Sequence, residues 1–331
     1  MSLHPSVAAV RSGVRRGLAE LDPAAPQQPT VLVACSGGAD SLALLSAAVF
    51  EGHRLDARVI GVTVDHGLQE GSGEHAARVV AQMAALGADE TASARVSVEA
   101  GSRGTEAAAR EARYAVLDQM AEHFGAALVL LGHTRDDQAE TVLLGLTRGS
   151  GGRALAGMRR AFGLYRRPLL DVSRDETVTA CQVEGIDYWD DPHNVDPAYT
   201  RSRVRHRVLP LLEDELGPGV AATLARTADQ LREDAELLDA LAAAAYGEVR
   251  VADGLDAAAL VGRPPAVVHR VLRLAALEAG APAAELFRVH VLALAALLGP
   301  QPRPGEIQLP GLVTARRSED SLTFTRTLVQ G

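Results

Sequence analysis

The segment Val31-Leu-Val-Ala-Cys-Ser-Gly-Gly-Ala-Asp-Ser41 constrains the fold more than any other stretch of the chain. Val31–Ala34 has the length and apolarity of a strand covered on both faces, and Ser41-Leu-Ala-Leu-Leu-Ser-Ala-Ala-Val-Phe50 continues as a helix rich in Leu and Ala. Between them, Gly37 and Gly38 permit positive φ and a close approach of backbone to ligand. A strand, a tight glycine loop and a helix in that order turn successive N–H groups toward an anion at the positive end of the helix. The expectation is therefore a phosphate site in an α/β protein. The loop has neither the Gly-Lys-Ser/Thr of a Walker loop nor the Gly-x-Gly-x-x-Gly of a dinucleotide site.

Around this unit, strand and helix patterns alternate. Asp56–His66 reads as a second strand and Glu74–Leu86 as a helix; Arg95–Val98 reads as a third strand, Thr105–Leu117 as a helix and Ala126–Leu131 as a buried strand. Such alternation predicts a doubly wound parallel sheet, with ligands outside the carboxyl ends of its strands. Val7, Val10, Val14, Leu18 and Leu21 have helical spacing, which predicts an N-terminal helix packed on the domain that follows. Beyond Gly217 the strand pattern ceases. Val220, Leu224, Ala228, Leu231, Ala235, Leu238 and Ala242 mark an amphipathic helix, and two more follow near 266–279 and 284–298. Ile307–Leu309 and Ser321–Thr325 read as a closing β-hairpin. The expected divisions are a catalytic domain over 1–216, a helical domain over 217–299, and a linker with the hairpin over 300–331.

Composition excludes several function classes. With 331 residues, 47% of them hydrophobic, the chain can bury two cores. It has no apolar run long enough to span a membrane, and arginines interrupt the apolar N-terminal stretch, unlike a secretory signal; a cytoplasmic protein is expected. The cysteines are Cys35 and Cys181, with no Cys-x-x-Cys, so neither a disulfide framework nor a cysteine-built metal site is indicated. All 33 basic residues are arginine, so any cationic phosphate contact uses a guanidinium fork. A net charge of −9 opposes a wholly basic nucleic-acid surface. Local clusters differ: 148–174 carries seven arginines against the single acid Asp171, and Arg201-Ser-Arg-Val-Arg-His-Arg207 carries four in seven positions. Arg148, Arg201, Arg203, Arg205 and Arg207 are thus candidates to contact phosphates, although a solvated helix start explains the second cluster as well.

The other chemical motif is Gly132-His-Thr-Arg-Asp-Asp-Gln-Ala-Glu-Thr141, at the end of the Ala126–Leu131 strand. Asp137 and Glu140 share a helix face, Asp136 stands where a cap is expected, and His133 precedes them. One acid would complement the helix dipole, whereas three acids and a histidine beside a nucleotide loop favour a functional site.

Ser36-Gly-Gly-Ala-Asp-Ser41 resembles the SGGxDS loop of the N-type ATP pyrophosphatases, which cleave ATP between the α- and β-phosphates. With Val64–Leu68, Glu106–Tyr114, Gly132–Thr141, Arg148–Gly152, Arg167–Leu170 and Arg201–Arg205, the series over 31–212 resembles the tRNA(Ile)-lysidine synthetase family. Thr134 stands where that family often has a second histidine, and Gln69 where a basic residue is common. The resemblance implies an adenine nucleotide hydrolase-like fold with a helical tRNA-binding domain. It also implies a ligase using ATP, Mg²⁺, free L-lysine and a tRNA(Ile) with a CAU anticodon. By that resemblance Ser36, Gly37, Gly38, Ala39, Asp40 and Ser41 hold the pyrophosphate, and Asp40 contacts Mg²⁺. Arg110 or Arg113 reaches the α-phosphate. Asp136, Asp137 and Glu140 hold the lysine ammonium, with Glu140 or His133 as proton acceptor. A sulfur-inserting tRNA enzyme, an amidotransferase-type synthetase and a non-catalytic nucleotide-binding module are the alternatives. The first needs a reactive cysteine and the second an ammonia source, for which no glutaminase-like cysteine motif is seen.

Overall fold

The computed structural model describes residues 3–21, 27–65, 71–96, 105–148, 151–191, 195–299 and 305–326, with side chains 105–109 and 148 outside the description. His66, Gly67, Leu68, Gln69, Ser97, Val98 and the side chain of Arg148 therefore lie outside the described residues. The chain forms two compact units, Met1–Arg232 and Glu233–Gly331.

The first unit is built on a six-stranded sheet. Its strands are β1 (Thr30–Ala34), β2 (Arg58–Asp65), β3 (Glu90–Arg95), β4 (Ala126–Leu131), β5 (Ala161–Phe162) and β6 (Tyr165–Arg166), in the order β3-β2-β1-β4-β6-β5. Four pairings are parallel and β5–β6 is antiparallel, so the expected all-parallel sheet is mixed at one edge. Gly163, at φ +50, turns that short hairpin. The third strand precedes the expected segment: Glu90–Arg95, with few large apolar residues, pairs with Ile60–Asp65 as an edge, where polar residues are tolerated.

Central β1 is buried on both faces. Val31 and Val33 face a core with Val7, Val10, Val14, Leu44, Leu45 and Cys181, while Leu32 faces Ile60, Leu117, Val129 and Leu131. The first core is covered by α1 (Pro5–Gly17), α2 (Ala39–His53), α3 (Ser72–Ala85) and, later in the chain, a helix over Arg174–Glu184; the second is covered by α4 (Thr105–Phe124). Further helices are α5 (Arg135–Arg148), α6 (Gly152–Leu155) and α7 (Arg174–Glu184). The chain runs outward from β1 through β2 to β3 and then returns to place β4 on the other side of β1. This reversal opens a crevice at the carboxyl ends of β1 and β4, the position at which open α/β sheets bind ligands. Gly132 closes the gap between the two loops: a Cβ there would lie 3.2 Å from Asp40 O and Ser41 Cα.

The unit continues through α8 (Thr200–Arg203), a π-helical turn over Val204–Val208 and α9 (Leu209–Leu216). Helix α10 (Val220–Val249) contains the division at Arg232/Glu233, in place of the boundary expected at 216/217.

The second unit has the expected helical region and adds a sheet to it. Alongside α11 (Ala257–Leu260), α12 (Pro265–Glu278) and α13 (Arg288–Ala296) it has a five-stranded antiparallel sheet. Its strands are β7 (Arg250–Val251), β8 (Gly254–Asp256), β9 (Gly305–Leu309), β10 (Val313–Arg317) and β11 (Ser321–Arg326), ordered β7-β8-β11-β10-β9. The expected hairpin is thus two strands of a meander whose middle strand the sequence pattern does not reveal. Val313-Thr-Ala-Arg-Arg317 has little apolar character, yet Val313, Ala315 and Arg317 are buried with the period of two that a half-covered strand requires. Leu272, Ala276, Leu294, Val313, Ala315 and Leu322 share this unit's core. Among the described residues no helix is long and apolar enough to cross a membrane.

Candidate active site

The loop after β1 is held from within by Ser41, whose Oγ accepts from the Ser36 N–H at 3.1 Å and donates to Gly38 O at 2.9 Å. Gly37 takes φ +85, where a Cβ would also lie 2.7 Å from Val79 Cγ2. Gly38 does not share this conformation. Its φ is −79, and a Cβ would meet only Ser36 Oγ at 3.6 Å and Trp189 O at 3.9 Å. The first glycine thus shapes the loop, and the second leaves its open side clear. Ala39 and Asp40 form the first turn of α2, where the dipole favours an anion.

Asp40, at the start of α2, is half-buried. It accepts a short hydrogen bond from Thr177 Oγ1 and lies 3.4 Å from Arg174 Nε. Burial, with the charge of Asp137, pushes its carboxyl up to about 6, although Arg174 and Thr177 pull the other way. Asp137 behaves oppositely: burial disfavours its charge, but Arg174 and Arg201 overcome this and hold the carboxyl at about 2. Its Oδ2 accepts from the Thr134 N–H at 2.8 Å and Thr134 Oγ1 at 3.1 Å. Asp137 therefore secures the start of α5. Asp136, expected in that capping role, instead accepts from the Arg174 N–H at 2.8 Å and caps α7. The competition is decided by tertiary packing, because the N-terminus of α7 abuts that of α5.

Three arginines converge on these acids. Arg174 places Nη2 3.1 Å from Asp137 Oδ1 and Nη1 3.6 Å from Glu140 Oε1, so one guanidinium spans the start of α2 and the acidic face of α5. Glu140, fully buried, accepts from Arg201 Nε at 2.8 Å and Arg205 Nε at 2.7 Å. Arg205 Nη2 also donates to Asp137 Oδ1 at 3.1 Å. The three carboxylates Asp40, Asp137 and Glu140 thus balance three guanidinium groups. Arg201 and Arg205, considered from sequence as surface cations, face this cluster because four residues of separation put them on one helical face. Arg203 turns back on Pro197 O and Ala198 O, at 2.7 and 2.9 Å, and Arg207 is exposed.

His133 lies between β4 and α5, near Asp137. Its Nδ1 accepts from Arg167 Nε at 3.3 Å, and burial together with Arg167, Arg201 and Arg110 drives the imidazole down to about 3. Such a ring stays neutral and is a feeble proton acceptor at neutral pH. Arg167 also donates to Tyr114 Oη at 3.0 Å, and exposed Arg110 lies over the Tyr114 ring. Exposed Arg113 is one helical turn from Arg110 on α4. Arg174 and Thr177 are site residues that sequence reasoning does not single out, and Arg167 stands there in a motif without an assigned role. The visible signal for α7 is its capping box, Ser173-x-x-Glu176, which places Arg174 at a helix start.

Among the described residues no group of three or more His, Cys, Asp or Glu side chains forms a metal cage. Asp40 at the head of the phosphate loop suits a Mg²⁺ held by one carboxylate together with nucleotide phosphates and water. Both cysteines are buried: Cys35 lies under the loop with its thiol pushed up, and burial drives Cys181 up to about 12.

The chain matches the family described as PP-loop domain over residues 12–212, and the TilS substrate binding domain over 255–323. It is 52% identical to the tRNA(Ile)-lysidine synthase of Streptomyces coelicolor, over 98% of this chain and 99% of that protein. It is 53% identical to that of Thermobifida fusca, over 96% and 97% respectively. Among solved structures, the U34-tRNA thiolase NcsA of Methanococcus maripaludis with its [4Fe-4S] cluster has a TM-score of 0.56 at 18% identity, covering 69% of this chain and 80% of that one. That likeness is one of fold. A mixed sheet with a Ser36–Ser41 phosphate loop at its reversal point defines an ATP-binding PP-loop enzyme. The chain belongs to the tRNA(Ile)-lysidine synthase family and is an ATP-using ligase.

Proposed function

We propose that this enzyme joins free L-lysine to C2 of the wobble cytidine in the CAU anticodon of a minor tRNA(Ile). The C2 oxygen attacks the α-phosphorus of ATP and pyrophosphate leaves. The lysine ε-amine then attacks C2, the C2–O bond breaks, and AMP departs with that oxygen. Adenylation is needed because the oxygen is otherwise a very poor leaving group. The product pairs with A instead of G, which changes both the codon read and the amino acid loaded.

The observation that supports two coupled steps is the reach of Arg174 from Asp40 beside the ATP loop to Asp137 and Glu140 on α5. Main-chain groups of Ser36–Ser41 hold the departing pyrophosphate, and Asp40 would hold a Mg²⁺ that would offset phosphate charge. Arg110 or Arg113 serves the α-phosphate, and Arg167, braced by His133, adds another guanidinium to that side. Asp137 and Glu140 receive the lysine ammonium, in competition with guanidinium groups already paired to them. Phosphates of ATP and tRNA are the anions able to draw those arginines aside. Lysine's amine has a pKa of about 10.4, so only about one molecule in a few thousand is nucleophilic at pH 7. Carboxylates raise that pKa further, so capture and deprotonation oppose one another. His133 Nδ1 is engaged by Arg167, which leaves Glu140 as the acceptor once its arginines move.

Sulfur insertion is disfavoured by two buried thiols whose ionisation is suppressed. The test is incorporation of labelled lysine into tRNA with and without ATP, in wild type and Asp137→Asn. Transfer should require ATP, and the variant should need far more lysine while adenylated tRNA accumulates. ATP-independent labelling would refute the reaction, and simultaneous loss of both steps in the variant would move Asp137 to the phosphates.

A further inference from the structure

Two carbonyl groups of the phosphate loop are tied down by residues that neither the loop motif nor the proposed reaction includes. His75, on α3, has Nε2 3.0 Å from Ser36 O, and the Trp189 N–H donates to Gly37 O at 2.9 Å. The two rings touch, with centroids 4.0 Å apart. A carbonyl oxygen only accepts, so His75 Nε2 carries the hydrogen. The fit is close: a Cβ on Gly37 would lie 3.0 Å from His75 Cε1. Farther along, Gln82 Nε2 donates to Asp187 O at 2.8 Å and fastens the Trp189 segment to the same helix.

In a trans peptide the C=O of one residue and the N–H of the next point to opposite sides. No peptide among the described residues is cis. With the Ser36 carbonyl held toward His75 and the Gly37 carbonyl toward Trp189, the N–H groups of Gly37 and Gly38 point away from those partners. Such adjacent N–H groups form an anion-binding nest. A loop rich in glycine would otherwise lose conformational entropy on binding, and peptides free to flip would present a carbonyl oxygen to the phosphate.

We infer that His75 and Trp189 are positioning residues that clasp the carbonyl side of the Ser36–Ser41 loop and preset its N–H groups for the ATP phosphates. The inference rests on ATP occupying that loop and is independent of what ATP activates. Isothermal calorimetry of ATP with Mg²⁺ on the full chain, without lysine or tRNA, tests it. His75→Ala should weaken ATP binding about three- to tenfold, the effect of losing one hydrogen bond. His75→Gln, which keeps a donor of similar reach, should restore most of the affinity. His75→Phe, which keeps a ring against Trp189 but has no donor, should resemble His75→Ala. In turnover the KM for ATP should rise while that for lysine stays unchanged. Wild-type affinity in both His75→Ala and His75→Phe would overturn the clasp, as would a His75→Gln protein as weak as His75→Ala while melting at the wild-type temperature. Failure of the wild type to transfer lysine would sink the proposed reaction alone, because ATP binding is read separately.

Discussion

Asp40 and Asp137 are the same residue type in one network, yet their carboxyl groups are driven to about 6 and about 2. Both are desolvated; the difference is the number and geometry of cations. The ordinary value for Asp40 is 3.8, so between about pH 4 and pH 6 the folded protein holds a proton that the unfolded chain has released. Stability of the ligand-free protein from this group therefore falls as pH rises through that window and levels off above it. Asp40→Asn should flatten that portion of a pH series of urea midpoints. The same variant should remain folded and slow pyrophosphate release by roughly a hundredfold, as expected when a residue that organises charge in the transition state is neutralised. Normal release by a folded variant would remove Asp40 from the mechanism. The helix start that carries Asp40 is legible in sequence, whereas Thr177 and Arg174, which cover the carboxylate, arrive from residues more than 130 positions away.

Among the elements, the segment carrying α8 and the π-helical turn contributes most that sequence conceals. Arg201-Ser-Arg-Val-Arg-His-Arg207 is a run of similar cations in one dimension and three distinct environments in three. Arg201 and Arg205 neutralise buried Glu140, Arg203 closes its own loop, and Arg207 faces solvent. The π turn belongs to a class of helix irregularity common at functional sites. Removing one partner from a buried ion cluster is costly because the remaining charge stays desolvated. Arg205→Ala should thus destabilise by on the order of 1–3 kcal/mol, moderated by the remaining Arg201 and Arg174 contacts. Arg207→Ala should change stability by less than about 0.5 kcal/mol. Denaturant titrations distinguish the two, and equal small effects would show that the Glu140 pairing contributes little.

At the scale of the molecule, a chain of net charge −9 must bind a polyanion through local cation density. If tRNA is the substrate, its affinity should fall steeply with salt, since each neutralised phosphate contributes roughly 0.7–0.9 to the logarithmic slope. Charge reversal at Arg207 should weaken tRNA binding and reduce that slope by about 1 while leaving ATP affinity intact. Filter binding across a salt series measures both, and a flat series would exclude a phosphate-directed surface. Arg201 and Arg205 are poorer choices for this test because their reversal would disrupt Glu140 as well.

The sequence by itself determined the strand–loop–helix at residues 31–50, the alternation that builds the first unit, the N-terminal helix and the acidic start of α5. These are local signals: apolar period, glycine placement and helix-start chemistry act over a few residues. Gly37 was legible as a left-handed position, while Gly38 differed because its value lies in the empty space beside it. Tertiary structure alone decided that Asp136 caps α7, that Arg201 and Arg205 turn inward, and that His75 and Trp189 meet at the loop. It also decided that Val313–Arg317 is the middle strand of the β9-β10-β11 meander. Each of these depends on partners distant in sequence, where desolvation and charge balance select among contacts that local spacing leaves equivalent.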